Sequence, residues 1–87
     1  MDDLEIESII MKTVMDIKLG KRLSKDVLKI LGRETPILLL VNDTGASVSE
    51  VRAAIERLVE KKYLEWAYGQ PKDSDSAFLY DKVKLPS

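Results

Sequence analysis

The 87-residue sequence contains neither cysteine nor histidine. The missing cysteines exclude disulfide bonds and thiolate metal sites. The missing histidines remove the side chain that most often acts as a general base and as a metal ligand. Nucleophilic catalysis would then depend on serine, threonine or lysine with a carboxylate or lysine base, and no such residues are suitably spaced. We therefore expect no enzymatic activity, no metal or other cofactor and no small-molecule ligand.

Long hydrophobic runs are also missing. No apolar run approaches the roughly 18–20 residues needed to cross a bilayer. The opening MDDLEIES is acidic and lacks the positive flank of a signal peptide. The sequence therefore predicts a cytoplasmic protein with no membrane partner. Its length favours one domain over residues 1–87, because a chain of this size can bury a single core.

A net positive charge is missing, because 14 basic residues are balanced by 15 acidic ones, but the bases are locally concentrated. The net charge is −1, which argues against a protein that coats nucleic acid by charge alone. Residues 18–34, however, carry six bases against Asp26 and Glu34, a local balance of +4. The six are Lys18, Lys21, Arg22, Lys25, Lys29 and Arg33. We expect any attraction for an anionic partner to come from this segment.

The apolar spacing near the start predicts a helix over residues 4–19. Apolar residues recur there at steps of three and four and form one stripe, and Gly20 is placed to end the helix. The stripe consists of Ile6, Ile10, Val14 and Ile17, widened by Ile9, Met11 and Met15. So broad a surface fits two arrangements: all of it lies in the intramolecular core, or part of it contacts a second copy.

A second helix is expected between Ser24, a favoured N-cap, and Gly32. Its apolar positions are Val27, Leu28, Ile30 and Leu31. Lys25, Lys29 and Arg33 are four residues apart; if the chain is helical through Arg33 they share one face, where each like-charge pair costs roughly 0.2–0.5 kcal/mol. This basic face is either a strip that contacts phosphates or a solvated surface.

The segment after Arg33 is ambiguous. Thr35-Pro36 predicts a helix start, with threonine as the cap and proline in the first turn. Residues 37–41 are all apolar, so they fit a buried helix or a buried strand. Residues 42–45, NDTG, predict a turn.

A capped helix is predicted over residues 47–62. Ser47 and Glu50 have the capping-box spacing, in which each side chain accepts a hydrogen bond from the other's backbone amide. The apolar stripe of this helix is formed by Val48, Val51, Ile55, Leu58 and Val59. Residues 63–68 then alternate with aromatic enrichment, which is typical of a half-buried strand. A polar connection over residues 70–76 leads to a returning strand expected over residues 77–85.

The order of elements over Pro36–Trp66, a short apolar helix, a turn and a capped helix followed by a strand, resembles the winged helix-turn-helix superfamily. The resemblance implies a mainly α fold with a small antiparallel hairpin. The winged-helix core would span residues 24–85, with the wing at 63–85 and the helix at 4–19 as an addition. Many members have glycine where this chain has Lys62.

The resemblance also implies a function. Helix 47–62 would read duplex DNA in the major groove, the basic segment 18–33 would bind phosphates, and the protein would be a homodimeric transcriptional regulator joined through its first helix. The residues expected to contact DNA are Lys21, Lys25, Lys29, Arg33, Ser47, Ser49, Arg52, Arg57 and Lys72.

Two other interpretations stay open. Glu50, Glu56 and Glu60 lie on the outward face of helix 47–62 and repel phosphate, which favours a non-enzymatic protein–protein interaction module with the same fold. Alternatively, residues 36–41 form a buried strand of an α/β fold. The second interpretation is disfavoured because only about two βαβ units would fit, too few for a covered parallel sheet.

Overall fold

The computed structural model describes residues 2–22 and 24–87, except for the side chains of Leu28 and Leu31. The helices are α1 (Asp3–Lys18), α2 (Lys25–Leu31), α3 (Ile37–Thr44), α4 (Val48–Glu60) and α5 (Asp75–Phe78). The strands are β1 (Thr35–Pro36), β2 (Glu65–Trp66) and β3 (Lys82–Lys84). Helices make up about 55% of the chain, and the strands form one antiparallel sheet in the order β1-β3-β2. The prediction of a mainly α fold with a small antiparallel hairpin is confirmed at this level.

Helix α1 contributes one face to the core. Its predicted stripe of Ile6, Ile10, Val14 and Ile17 is at most 1% exposed, and the helix packs against α3 and α4. From the sequence, this helix was expected to be an addition to a core of residues 24–85. In the structure, Ile6, Ile10 and Val14 of its apolar stripe lie in the same core cluster as buried residues of α3 and α4.

Helix α2 has the predicted ends, and its two described apolar side chains are exposed. The Ser24 hydroxyl accepts a hydrogen bond from the Val27 amide at 3.3 Å, and Gly32 is the C-cap. Val27 and Ile30 are 37% and 81% exposed, so the apolar face expected here contacts solvent at both positions. The expectations for Leu28 and Leu31 concern side chains outside the described part of the chain.

The ambiguous segment forms helix α3, so the α/β interpretation is wrong. Thr35 is not the N-cap; it lies in β1 opposite Val83, and Pro36 takes the cap position without a side-chain hydrogen bond. The amide of Ile37 donates instead to the Asp81 carbonyl at 2.9 Å. Because the chain before β3 satisfies this amide, the helix start needs no capping side chain.

Helix α4 forms as predicted from its capping box and its stripe. The Ser47 hydroxyl accepts from the Glu50 amide and the Glu50 carboxylate accepts from the Ser47 amide, both at 3.2 Å. Val51, Ile55 and Leu58 are buried, while Val48 and Val59 are half-buried against the same core. Ala54 is also fully buried, which the apolar spacing did not indicate because alanine is common on both faces of helices.

Lys62 ends α4 in a conformation that favours glycine. Its φ angle is +66°, the one positive value among non-glycine residues that the structure describes. The amide of Lys62 donates to the Val59 carbonyl at 3.0 Å, and that of Tyr63 to the Leu58 carbonyl at 2.9 Å. This pair of bonds is a Schellman motif, whose left-handed residue is usually glycine. The position is therefore the one where the resemblance places a glycine.

Replacing Lys62 with glycine should stabilise the fold by about 0.5–1 kcal/mol, because glycine adopts a positive φ angle without steric cost. Urea denaturation of the variant and the original protein measures this difference. Lys61→Gly is the matched control. Because Lys61 has an ordinary φ angle of −77°, this variant should be less stable than the original protein. Equal destabilisation in both variants would contradict the prediction.

The predicted wing strands are shorter than expected. In the first, pairing covers only Glu65 and Trp66, followed by a hydrogen bond from the Ala67 amide to the Lys82 carbonyl at 2.9 Å. The returning strand predicted over 77–85 is wrong at its start. There, Ser74 caps α5 by accepting from the Ala77 amide, and the helical turn brings Phe78 into the core.

Candidate functional site

The basic residues of α2 line one concave surface. Lys25, Lys29, Gly32 and Arg33 surround a cleft of about 510 Å³, which we call the lysine cleft. All four residues are exposed. The structure thus brings together three of the four predicted sites of segment 18–33. The fourth, Lys21, is exposed on the connection before α2. No described carboxylate lies within 4 Å of the ammonium groups of Lys21, Lys25 or Lys29.

Arg33 joins the two ends of the basic segment. Its Nη1 donates to the Lys18 carbonyl at 2.6 Å. That carbonyl belongs to the last turn of α1, where carbonyls lack partners within the helix and where positive charge is favourable. Arg33 therefore both lines the lysine cleft and fixes its position relative to α1.

Asp43 connects the basic segment to the turn between α3 and α4. Arg22 donates to both of its carboxylate oxygens, and the Thr13 hydroxyl donates to Oδ2 at 2.6 Å. These hydrogen bonds, led by those from Arg22, lower the pKa of Asp43 although burial opposes the shift. We call Thr13, Arg22 and Asp43 the Asp43 cluster. It holds the chain after α1 beside the turn that starts at Gly45.

Arg52 does not point outward from α4. Its Nη2 donates to the carbonyl of Lys72 at 2.8 Å and to that of Asp73 at 3.3 Å. Its guanidinium carbon lies 3.8 Å from the centre of the Phe78 ring, a cation–π geometry. The predicted DNA-contacting arginine is therefore engaged in holding the connection between β2 and α5 against α4.

Lys72, predicted at the wing tip, belongs to the same connection. Its amide donates to Asp81 Oδ2 at 2.8 Å, and its Nζ lies 3.9 Å from Asp81 Oδ1. Its side chain is 61% exposed, so the ammonium stays accessible to solvent. Asp81 therefore holds the backbone amide of Lys72 by a short hydrogen bond, while its contact with the charged Nζ is long.

Arg57 pairs with α1. Its Nε donates to Glu7 Oε2 at 3.3 Å, its Nη2 lies 3.7 Å from Asp3 Oδ1, and Lys61 Nζ lies 3.5 Å from Glu7 Oε1. The Glu7 side chain is only 11% exposed. Sequence reasoning missed Glu7 as a partner, although its position next to the buried Ile6 was a usable signal.

The exposed face of α4 carries hydroxyls and acids. Ser47 and Ser49 are exposed at its start, with their Oγ atoms 3.2 Å apart. Glu50 follows them. The pKa of its carboxyl is lowered mainly by a hydrogen bond from the Ser47 amide and further by one from the Ser47 hydroxyl. Glu56 and Glu60 are exposed further along. The described outward face of α4 thus presents two predicted serine sites, while both predicted arginines face other elements.

An apolar groove lies on the outside of α3. It measures about 300 Å³ and is lined by Pro36, Leu38, Leu39, Asn42, Leu79, Tyr80 and Lys82. Leu38 is 45% exposed and Tyr80 is 77% exposed. Sequence patterns did not predict this α3 groove, because Tyr80 was assigned to a strand.

Comparisons with protein-family models, with curated proteins and with solved structures find no match to this chain. No helix in the described ranges combines the length and apolar character that a membrane crossing requires. Within the same ranges, no acidic side chains cluster in a way that could hold a metal ion. The surfaces described above are therefore the features from which a function can be inferred.

Proposed function

We propose that the protein is a winged-helix protein that binds duplex DNA and regulates transcription. The observation that carries the proposal is the lysine cleft together with Lys21: these are exposed bases without described carboxylate partners, in the segment whose Arg22 is bound to Asp43 near the end of α3. Bases that neutralise phosphates supply most of the affinity of non-specific DNA binding. This segment offers them despite the net charge of −1.

The order of elements supports the winged-helix part of the proposal. Helices α3 and α4 are separated by residues 45–47 only, and the antiparallel β2–β3 pair follows α4. In helix-turn-helix proteins the second helix enters the major groove and its first residues contact base edges. In the proposed complex α4 takes this role.

The side chains available on α4 refine the expected contacts. Ser47 and Ser49 are exposed at the end of α4 that would enter the groove, and serine hydroxyls can pair with several bases. Arg52 and Arg57 hold other elements, so we assign them positioning roles instead of base contacts. Most of the attraction would then come from Lys21 and the lysine cleft, and Lys72 would contact the DNA backbone from the wing.

A salt titration tests the proposal. Fluorescence anisotropy of a labelled mixed-sequence duplex should show binding that weakens steeply from low to moderate salt. The triple variant Lys25→Ala/Lys29→Ala/Arg33→Ala should bind about tenfold or more weakly, and its salt dependence should be shallower by roughly one unit for each phosphate that it no longer neutralises. Duplex binding that this variant leaves unchanged would overturn the assignment of the lysine cleft.

A matched control removes the same formal charge elsewhere. Lys12→Ala/Lys61→Ala/Lys84→Ala eliminates three bases that pair with Asp16, Glu7 and Glu65. The lysines of these pairs are exposed or half-exposed, such surface pairs contribute roughly 0–1 kcal/mol each to stability, and the less exposed Glu7 keeps its hydrogen bond from Arg57, so the control should still fold. Its salt dependence should stay close to that of the original protein. Equal decreases in affinity in both triple variants would indicate a net-charge effect and contradict a specific DNA-binding surface.

A second candidate function is a protein–protein interaction module without catalytic activity. The observation favouring it is the run of exposed acids on α4, Glu50, Glu56 and Glu60, from which both arginines are turned away. Such a face would suit a basic protein partner better than phosphate. Absence of duplex binding even at low salt would eliminate the DNA proposal and favour this function.

A further inference from the structure

Two side chains from different elements hold the backbone of Lys72. Its amide donates to Asp81 Oδ2, and its carbonyl accepts from Arg52 Nη2, both at 2.8 Å. Asp81 is buried and directly precedes β3, whereas Arg52 lies in the first half of α4. Lys72 itself lies in the connection between β2 and α5, outside any helix or strand. Its backbone is therefore fixed by distant residues and not by regular secondary structure.

Arg52 is held in turn by the core. Its guanidinium carbon lies 3.8 Å from the centre of the Phe78 ring, and Phe78 is fully buried. The same Nη2 atom also donates to the Asp73 carbonyl at 3.3 Å. No described carboxylate lies within 4 Å of the Arg52 guanidinium, so the hydrogen bonds found for it go to the connection. We call Arg52 and the two carbonyls that it binds the Arg52 bridge.

The Arg52 bridge links two side chains that belong to the proposed DNA-binding surface. Ser49 precedes Arg52 by three residues and is therefore its neighbour on the surface of α4. Ser49 is exposed, and the Lys72 side chain is 61% exposed. A serine proposed to contact bases and a lysine proposed to contact the DNA backbone are thus connected through one arginine.

We propose that Arg52 is a positioning residue for DNA binding, which holds Lys72 at a fixed place relative to α4 so that the Lys72 ammonium reaches a phosphate. The inference rests on the proposed function and deepens it, because it makes one phosphate contact depend on a residue that does not touch DNA. The physical reason is preorganisation. A connection that is ordered before binding loses little conformational freedom in the complex, whereas a loose connection has to be ordered on binding.

A role of Arg52 through its charge alone would give a different result. In that case Arg52 and Lys72 attract DNA independently, and the effects of replacing them multiply. If Arg52 instead acts by positioning Lys72, replacing Lys72 changes little once Arg52 has been replaced. A double-mutant cycle distinguishes the two roles, because it measures how far the effect of one substitution depends on the other residue.

The cycle consists of Arg52→Met, Lys72→Ala and the double variant, each titrated with a labelled mixed-sequence duplex. Methionine removes the hydrogen bonds of the Arg52 bridge but keeps an apolar side chain over the Phe78 ring. At about 0.1 M salt, Lys72→Ala should weaken binding of the original protein about fivefold, as expected for one phosphate contact. In the Arg52→Met background the same change should weaken binding less than about twofold, because Lys72 no longer has a fixed position.

Arg57→Met is the matched control. It removes the same charge from the same helix, but Arg57 contacts Glu7 of α1 and not the connection. In this background, Lys72→Ala should keep its full effect on duplex affinity. Urea denaturation followed by Trp66 fluorescence shows whether each variant is folded under the assay conditions.

Arg52→Lys is a second variant that keeps the charge. Lysine lacks the planar group that stacks on an aromatic ring, so it should hold the connection less firmly and reduce the effect of Lys72→Ala. Hydrogen exchange gives a further readout that needs no DNA. Backbone amides of residues 70–74 should exchange faster in Arg52→Met than in the original protein or in Arg57→Met, because the connection opens more often.

The outcomes separate this inference from the proposed function. If the original protein binds the duplex but Lys72→Ala weakens binding by the same factor with and without Arg52, the inference is wrong and the proposed function stands. Unchanged hydrogen exchange over residues 70–74 in Arg52→Met would likewise overturn the inference alone. Absence of duplex binding by the original protein at low salt would overturn the proposed function, and this inference with it.

Discussion

Replacing Phe78 with alanine should destabilise the fold by about 3–5 kcal/mol, the usual cost of removing a buried phenylalanine side chain. Phe78 is fully buried, and its ring contacts Trp66 edge-on with the centroids 5.8 Å apart. Arg52 stacks over the ring as well. The substitution therefore leaves a cavity and removes the surface that supports Arg52 and, through it, the carbonyls of Lys72 and Asp73.

Such a decrease in the free energy of unfolding is a large part of the roughly 5–15 kcal/mol that is typical of a domain. Urea denaturation can be followed by the fluorescence of Trp66, the single tryptophan. Tyr80→Ala is the matched control, because Tyr80 is 77% exposed and lies two residues further along the same segment. If Phe78→Ala lowers the free energy of unfolding by less than about 1 kcal/mol, or by no more than Tyr80→Ala does, Phe78 is not part of the core.

Phe78 also illustrates which parts of the fold were predictable. The stripes of α1 and α4 were predicted because their burial follows from residues three and four apart, all within one helix. Phe78 was assigned to a strand because its neighbours Leu79 and Tyr80 are apolar and aromatic. The Ser74 cap that starts α5 was overlooked, although the serine side chain accepts from the amide three residues later.

Contacts between distant residues account for the remaining differences. Strand β1 has two residues, too few for any alternation, and it exists because it pairs with β3. Likewise, α3 starts at Ile37 because a carbonyl 44 residues later, that of Asp81, accepts its amide. No local pattern in the sequence contains this information.

The same division holds for the candidate site. That Lys25 and Lys29 lie along one surface was predictable, since both are in α2, whereas Arg33 follows the Gly32 C-cap and its place in the lysine cleft does not follow from helical spacing. The engagement of Arg52 and Arg57 was not predictable, because their partners lie 20 and 50 residues away in sequence. Outward helical positions identify side chains that leave the core, but not those that fold back onto another element.

The Asp43 cluster shows how such a distant contact supports a local surface, and it gives the second large effect. Asp43→Asn should destabilise the protein by about 1.5–3 kcal/mol at neutral pH, because hydrogen bonds between ionised groups contribute about that much. The neutral amide keeps the size of the side chain. It removes the charge that pairs with Arg22 and one of the two acceptor oxygens.

The effect of Asp43→Asn should depend on pH in a defined direction. Because the pKa of Asp43 is lowered in the fold, its carboxylate contributes fully above the ordinary value of 3.8, and the contribution is lost as pH falls through the lower folded value. Urea denaturation at neutral pH and at steps down through this range should therefore show the difference between variant and original protein shrinking with acidity. Glu65→Gln is the control; its pair with Lys84 is exposed, so a change of about 0–1 kcal/mol is expected. A difference for Asp43→Asn that stays constant with pH would mean that the altered hydrogen-bond geometry, and not the charge, stabilises the connection between the basic segment and α3.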